Sequence, residues 1–331
     1  MSEFRQDLVS DDWIIMAPER EGRPHNIGGK KAARKSSPKN KCPFENPQKT
    51  GNWPPIISWP NEKRWRVLLI PNKFPALTYS KNCARDFRIG PYKLKSGTGV
   101  HDLLLTRDHS RDFASLSLKE IVKTLEILQE RYRMLAENKC LLYTSVFYNH
   151  GQTAGASIDH PHYQVLTLPI LPSDFKHSLL GLGSYFKKYR KCAHCAMLAE
   201  ELKARKRIVD QNKSALLVAP FVSRGAYEIR VFPKKHLSHF EHTPRKELKD
   251  IAAMLQSGIK RITKYLNDPD FNFFIHTAPL QHKKDYKYYH WHIEIIPKIS
   301  LWGGFELSTG VDINVVDPEK AAAILRGEYA A

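Results

Sequence analysis

The chain has 331 residues, 42% of them apolar, and a formal charge of +18. That length suits about two domains at roughly 150 residues each, and the apolar share can fill a packed core, which excludes a disordered chain. No apolar run approaches the roughly 20 residues of a membrane span, and the charged start from Met1 to Asp7 lacks a signal-peptide core, so the cytoplasm is the expected compartment.

In chain order, 11–18 reads as a short strand after an acidic turn, and Arg20 and Arg23 follow on a loop. The run 29–41 concentrates lysine and arginine, has no hydrophobic period, and carries the Gly, Ser and Pro of a mobile loop. A basic surface suits anionic partners: nucleic acid, or nucleotides and sugar phosphates. Against nucleic acid, the basic run holds no aromatic residue and the chain no recognisable binding module. Next, Cys42-Pro43-Phe44-Glu45 reads as a knuckle-like turn, 65–71 as a strand, and 72–77 as the loop leaving it.

The remainder reads twice. A strand over 99–109 runs into His109, and its counterpart over 225–236 runs into His236. Ile121, Leu125, Leu128, Tyr132 and Leu135 then predict a helix over 118–138; Leu248, Ile251, Leu255, Ile259, Ile262 and Tyr265 predict another over 245–266. A strand follows each helix, over 143–148 and 271–276. Each half closes on an H-x-H strand that a proline stops, one over 159–168 and one over 289–296. Alternation places His160, His162 and Gln164 on one face of the first strand. It places His290, His292 and Glu294 on one face of the second, opposite Trp291 and Ile293. The repeat predicts an α+β fold of two tandem units, each a mainly antiparallel sheet with a packed helix. The Gly/Ser/Lys-rich stretch near 175–189 marks the boundary and gives units 1–180 and 181–331.

The pairing extends to metal ligands. Five cysteines in a chain this long do not make a disulfide framework, and Cys192-x-x-Cys195 reads as metal or redox chemistry. The second unit offers Cys192, Cys195, His236 and His290, a Cys₂His₂ set suited to zinc. Two buried thiols are the plainer account of that set, and His194 between them reads as a bystander. The first unit offers Cys42, His109 and His160, with Glu45 where the second has its other cysteine; a carboxylate oxygen is an acceptable zinc ligand.

With His160 held by a metal, His162 remains on the same face. A neutral imidazole can attack an electrophilic phosphorus to give a phosphoramidate. The small-residue loop 151–157 can bring backbone N–H groups to phosphate oxygens, and Ser157 and Gln164 can add side-chain donors. The second unit lacks this loop and carries Glu294, whose charge would repel a phosphate. The first unit is therefore expected to be catalytic and the second structural.

These residues lie among others that form an ordered set: Trp13-Ile14-Ile15 with Arg20 and Arg23-Pro24, Cys42-Pro43-Phe44, Asn72-Lys73-Phe74-Pro75, Asp108-His109-Ser110, Asn149, Gly155-Ala156-Ser157, His160-Pro161-His162, Gln164, His290-Trp291-His292 and Gly303-Gly304-Phe305-Glu306. With them the sequence resembles the galactose-1-phosphate uridylyltransferase family, a branch of the histidine-triad superfamily, over nearly its whole length. The resemblance implies two histidine-triad-like domains and a ping-pong transfer in which His162 carries the nucleotidyl group of a nucleotide sugar. It implies that Gln164 and Ser157 hold the phosphoryl oxygens and that Asn72, Phe74 and Asn149 contact the nucleoside. Arg20, Arg23 and Gly155 complete the implied substrate contacts. Phe305 and Glu306 would lie near the sugar, across a homodimer. Zinc would sit at Cys42, His109 and His160, and a second zinc at Cys192, Cys195, His236 and His290.

UDP-glucose, with galactose 1-phosphate as acceptor, leads the implied substrates. The carboxy-terminal stretch resembles the plant ADP-glucose phosphorylase branch, which makes adenylyl transfer to phosphate the alternative. Two positions depart from the family: Glu45 replaces the usual second cysteine, and Tyr163 the glycine of many uridylyltransferases.

Overall fold

The structure is a computed structural model that describes residues 1–22, 38–109, 111, 113–300 and 302–329. Arg23 and most of the basic run lie outside the described residues. Two short strands, β1 (Glu3–Gln6) and β2 (Trp13–Met16), open the chain. The first half continues through α1 (Pro47–Thr50), β3 (Ile57–Trp59), β4 (Val67–Pro71), the hairpin β5 (Asp86–Ile89) and β6 (Tyr92–Lys95), β7 (Val100–Thr106), α2 (Leu118–Ala136), β8 (Tyr143–His150) and β9 (His162–Leu168). Two helices, α3 (Ser173–Tyr189) and α4 (Ala193–Ala204), lead to the second half: β10 (Ile208–Gln211), β11 (Ala215–Val218), β12 (Ile229–Pro233), α5 (Arg245–Tyr265), β13 (Phe271–His276) and β14 (His292–Pro297). The chain ends through α6 (Gly304–Thr309), β15 (Ile313–Asn314) and α7 (Pro318–Arg326).

Ten strands form one sheet in the order β10-β11-β12-β14-β13-β8-β9-β7-β4-β3. Every pairing in it is antiparallel. Counted outward from the centre, β8-β9-β7-β4-β3 matches β13-β14-β12-β11-β10. The expected duplication is therefore present, and β8 beside β13 joins the two copies edge to edge.

The sheet has a chemically plain face and a busy one. Val67, Leu104, Val146, Tyr163 and Val165 of the first half point with Ile229, Val231, Phe273, Ile293 and Ile295 of the second into one core under α2 and α5. The stripes predicted for both helices are buried there except Tyr265, which is half-buried: Leu125, Leu128, Leu255 and Ile262 are fully enclosed. Truncating any one of these to alanine would cost about 2–5 kcal/mol. Tyr163, the departure from glycine, belongs to this core and packs against Phe113, Tyr148 and Phe273. Each helix also lends one amide to the other half. Gln129 on α2 donates to Phe240 O and Thr243 O, and Gln256 on α5 donates to Ala114 O and Leu116 O. The opposite face of the sheet holds both H-x-H motifs.

Three expectations change. Leu180 to Ser184 do not break the fold but lie inside α3, where Phe175, Leu179 and Leu182 are buried at helical spacing. Gly181 serves close packing there: a Cβ would lie 2.1 Å from Val9 O. Both H-x-H strands begin at their second histidine. Pro161 has no N–H to give the ladder, and Trp291 N–H donates to Leu237 O outside the sheet. Cys83 and Cys140 form one disulfide across 57 residues, with Cα atoms 5.0 Å apart, which leaves Cys42, Cys192 and Cys195 as the free thiols. No helix among the described residues is long and apolar enough to cross a membrane.

Candidate active site and metal clusters

The turn at Cys42 and the end of β7 bring the first cluster together. Ligand atoms of Cys42, His109 and His160 all lie within 4.8 Å of one another. His160 Nδ1 is 3.6 Å from Cys42 Sγ and 3.3 Å from His109 Nδ1. His160 Nε2–H donates to Thr106 O at 2.7 Å, so Nδ1 must present its lone pair to the cluster. Glu45 Oε1 lies 3.3 Å from His109 Nδ1 and 3.7 Å from His160 Nδ1, yet it is buried without a hydrogen bond. A thiol, two imidazole nitrogens and an orphaned carboxylate oxygen aimed at one point fit a divalent cation. Burial pushes His160 down to about 4, which keeps it in the neutral form that a metal needs.

The second cluster is built on a helix start. Cys192 precedes α4 and Cys195 lies in its first turn. Their sulfurs and the nearest ring nitrogens of His236 and His290 lie within 4.8 Å of one another. Cys195 Sγ is 3.2 Å from His236 Nδ1 and 3.5 Å from His290 Nδ1. His236 Nε2–H donates to Lys287 O at 2.8 Å, the same device that fixes His160. Bonding to Cys195, and to the imidazoles around it, holds the Cys192 thiol well below its usual value. Four ligands of these types fit a closed tetrahedral site. His194 packs against His292, with ring centroids 4.9 Å apart.

His162 opens β9 two residues beyond the first cluster. Its Nδ1–H donates to His160 O at 2.9 Å, which leaves the Nε2 lone pair for chemistry. Burial lowers its proton affinity, so the ring is the neutral, nucleophilic form at pH 7. Phe44 lies edge-on to it, with ring centroids 5.1 Å apart. The knuckle therefore contributes a ligand through Cys42 and packing through Phe44.

Gln164 shares this face, two residues along. The backbone loop before β9 behaves differently from expectation. Ala154 N–H and Ala156 N–H donate to Gly151 O, and Gly155 N–H donates to Gln152 O. Thr153 N–H donates to Asp270 at 2.9 Å, and its hydroxyl donates to the same oxygen at 2.6 Å. The N–H groups of residues 153–156 are thus engaged, three within the loop and one with Asp270. Gln164 on the strand and Ser157, exposed in the turn before it, are the side-chain donors on this side of the loop. Gly151 is required where it stands: its φ is +84°, and a Cβ would lie 1.9 Å from Asp270 Oδ1.

A cleft of about 460 Å³ adjoins this face, lined among others by Phe44, Asn72, Lys73, Phe74, Leu103 and Ile158. Asn72 Oδ1 accepts Phe74 N–H at 3.0 Å, and the Phe74 ring is 81% exposed. Asn149 accepts from Asn272 Nδ2 at 2.8 Å, and that amide also donates to Ala154 O at 2.8 Å. The structure thus brings Asn72, Phe74 and Leu103 to one cleft, and holds Asn149 and Gly155 beside β9. Arg20 lies on a 3₁₀ turn, Pro18–Gly22. Glu306 uses its carboxylate on Gly303 N–H at 2.9 Å, and Phe305 is half exposed beside it.

Sequence reasoning missed three residues here. His101 on β7 touches Gln164, with Nε2 3.0 Å from Gln164 Oε1. Strand alternation with Leu103 and Leu105 could have placed it on this face. Asp270 and Asn272 reach the loop from the second half, a contact between distant segments with no local sequence signal.

Comparison with known proteins identifies the family of the whole chain. The family described as "Galactose-1-phosphate uridyl transferase, N-terminal domain" matches residues 1–172, and a domain of unknown function, DUF4921, matches residues 95–326. The chain is 32% identical to ADP-glucose phosphorylase of Arabidopsis thaliana over 98% of its own length and 92% of that protein. It is 27% identical to galactose-1-phosphate uridylyltransferase of Thermotoga maritima over 98% of both. The crystal structure of the Arabidopsis ADP-glucose phosphorylase with bound ADP-glucose superimposes with a TM-score of 0.84 at 31% identity, covering 98% of both chains. The chain belongs to the galactose-1-phosphate uridyl transferase family and is a nucleotidyltransferase-type enzyme.

Proposed function

We propose that the protein transfers the nucleotidyl group of a nucleotide sugar through a covalent intermediate on His162. The observation that carries this is the His162 ring itself: buried, neutral, and held by His160 O so that Nε2 is the nucleophilic atom. Nε2 attacks the α-phosphorus, a P–N bond forms, and the P–O bond to the sugar 1-phosphate breaks. An acceptor oxygen then attacks the same phosphorus, and the P–N bond breaks to regenerate the imidazole. Gln164 and Ser157 contact the phosphoryl oxygens, and Asn72, Phe74 and Asn149 the nucleoside.

The full-length likeness to the Arabidopsis protein puts ADP-glucose with inorganic phosphate first among substrate pairs. The match of 1–172 to the uridyl transferase family favours UDP-glucose with galactose 1-phosphate as the second reading. Labelled ADP-glucose and UDP-glucose, offered separately, test both. The preferred donor leaves an acid-labile adduct that phosphate or galactose 1-phosphate discharges, and His162→Ala leaves none. An adduct that survives His162→Ala, or none with either donor, sinks the mechanism.

In this reading residues 1–180 form the catalytic half and 181–331 the structural half. Zinc fits both clusters, where it would tie loop to strand and fix ring orientation. Elemental analysis should find about two zinc equivalents per chain, falling by one in Cys195→Ser and by one in Cys42→Ser. A homodimer belongs to the same reading. Exposed Trp302, Phe305 and Leu307 on and beside α6 offer the apolar surface for it.

A further inference from the structure

His101 lies outside both metal clusters and makes none of the substrate contacts assigned above. Three contacts define its state. Ala76 N–H points at His101 Nδ1 from 3.0 Å. Gln164 Oε1 lies 3.0 Å from Nε2. Asn72 Nδ2 is 3.5 Å from Nδ1 and 3.2 Å from Nε2.

Only one of these partners has an unambiguous role. A backbone N–H can only donate, so Nδ1 must accept and carries no proton. In the neutral ring the proton is then on Nε2, which donates to the Gln164 side chain. That side-chain atom must be the amide oxygen. The Gln164 NH₂ group is thereby turned away from His101. Asn72 Nδ2, itself a donor, finds no lone pair on the protonated Nε2 and lies 3.5 Å from Nδ1, whose lone pair Ala76 N–H takes. Asn72 N–H also donates to His101 O at 2.9 Å, so the same residue pins the start of the loop by its backbone.

We propose that His101 is a positioning residue. It fixes the amide of Gln164 so that its N–H donors face the phosphoryl group, and it locks that amide to the Asn72–Ala76 loop of the nucleoside cleft. The role rests on the reading that Gln164 contacts the phosphoryl oxygens. One imidazole in one tautomer links a nucleoside-side loop to a phosphate-side amide. Removing it frees the amide to rotate and present its oxygen, which repels a phosphoryl oxygen.

Single-turnover adduct formation from the preferred nucleotide sugar tests this in the full-length protein, with melting temperature measured alongside. Gln164→Ala comes first and should slow the step by on the order of a hundredfold, as for loss of one oxyanion donor. An undiminished rate in Gln164→Ala shows that the reading of Gln164 is wrong and overturns the His101 role with it. With Gln164→Ala slow, His101→Ala should lose about tenfold, and the double variant should be no slower than Gln164→Ala alone. His101→Gln, whose Nε2 can take the place of the imidazole Nε2, should recover most of the rate. Multiplicative losses in the double variant, or His101→Gln as slow as His101→Ala at an unchanged melting temperature, overturn the positioning role while leaving Gln164 in place.

Discussion

The two H-x-H strands share a backbone and differ in charge. His292 Nδ1–H bonds to His290 O at 3.2 Å, as His162 does to His160 O. Register then aligns their neighbours. Gln164 lies opposite Leu103 on β7, while Glu294 lies opposite Arg230 on β12. Asn149 on β8 corresponds to His276 on β13. Three neutral residues of the first site thus become a carboxylate, a guanidinium and an imidazole in the second.

Those groups satisfy one another. Arg230 bonds Glu228 at 2.8 Å and lies 3.4 Å from Glu294, and His276 lies 3.3 Å from the same carboxylate. Burial would raise the Glu294 carboxyl, but Arg230 and His276 outweigh it and hold it well below the usual range. Gln164, Leu103 and Asn149 of the first site are uncharged, and the site lies beside a cleft. The second is neutralised internally and buried. That difference is what the proposed function would use, with the phosphate of the substrate at the first site.

The sharpest way to break this contrast is to make the first site resemble the second. Gln164→Glu places a carboxylate where an α-phosphate must sit. Two charges about 4 Å apart at an effective dielectric near 20 repel by about 4 kcal/mol, roughly a thousandfold in rate. Single-turnover adduct formation reads the loss, and a rate within tenfold of the parent enzyme shows that charge does not separate the two sites. The converse change acts on stability. Arg230→Met leaves Glu228 and Glu294 buried without their cation, a defect worth about 3–5 kcal/mol. Denaturant unfolding should show that loss; a loss below about 1 kcal/mol would mean that the network is not what closes the second site.

Much of this contrast was legible in the residues. Period 3.6 located α2 and α5 to within two residues, and the repeated H-x-H marked one histidine of each cluster, His160 in the first and His290 in the second. The long-range pairings were not legible. The joining of β8 to β13 is a contact between copies, and neither copy's pattern records it. Leu180 to Ser184 misled because glycine signals both a turn and a close approach, and only Val9 decides between them. The loop before β9 misled for a related reason. Its small residues suit a phosphate cradle, but the N–H groups of four of them, 153–156, are taken by Gly151, Gln152 and Asp270. Local composition shows which groups can donate, and only the fold shows where they donate.

Asp270 provides the smallest test and bears on what the second half is for. It accepts two hydrogen bonds from Thr153 and crowds Gly151, and so fixes from one half the wall of the other half's site. A purely structural second half would make this contact a matter of stability alone. A wall that places Ser157 and the start of β9 makes it a matter of rate as well. Asp270→Ala removes both hydrogen bonds and should slow adduct formation about tenfold, in line with about 1.5–3 kcal/mol for hydrogen bonds to a charged group, partly recovered by loop relaxation. Zinc content should change little, since neither metal cluster includes the loop, and the unfolding midpoint should fall only by what these two hydrogen bonds contribute. A stability loss with no change in rate would return the second half to the role of scaffold. A rate loss at preserved stability would show that the duplication contributes to the chemistry it no longer performs.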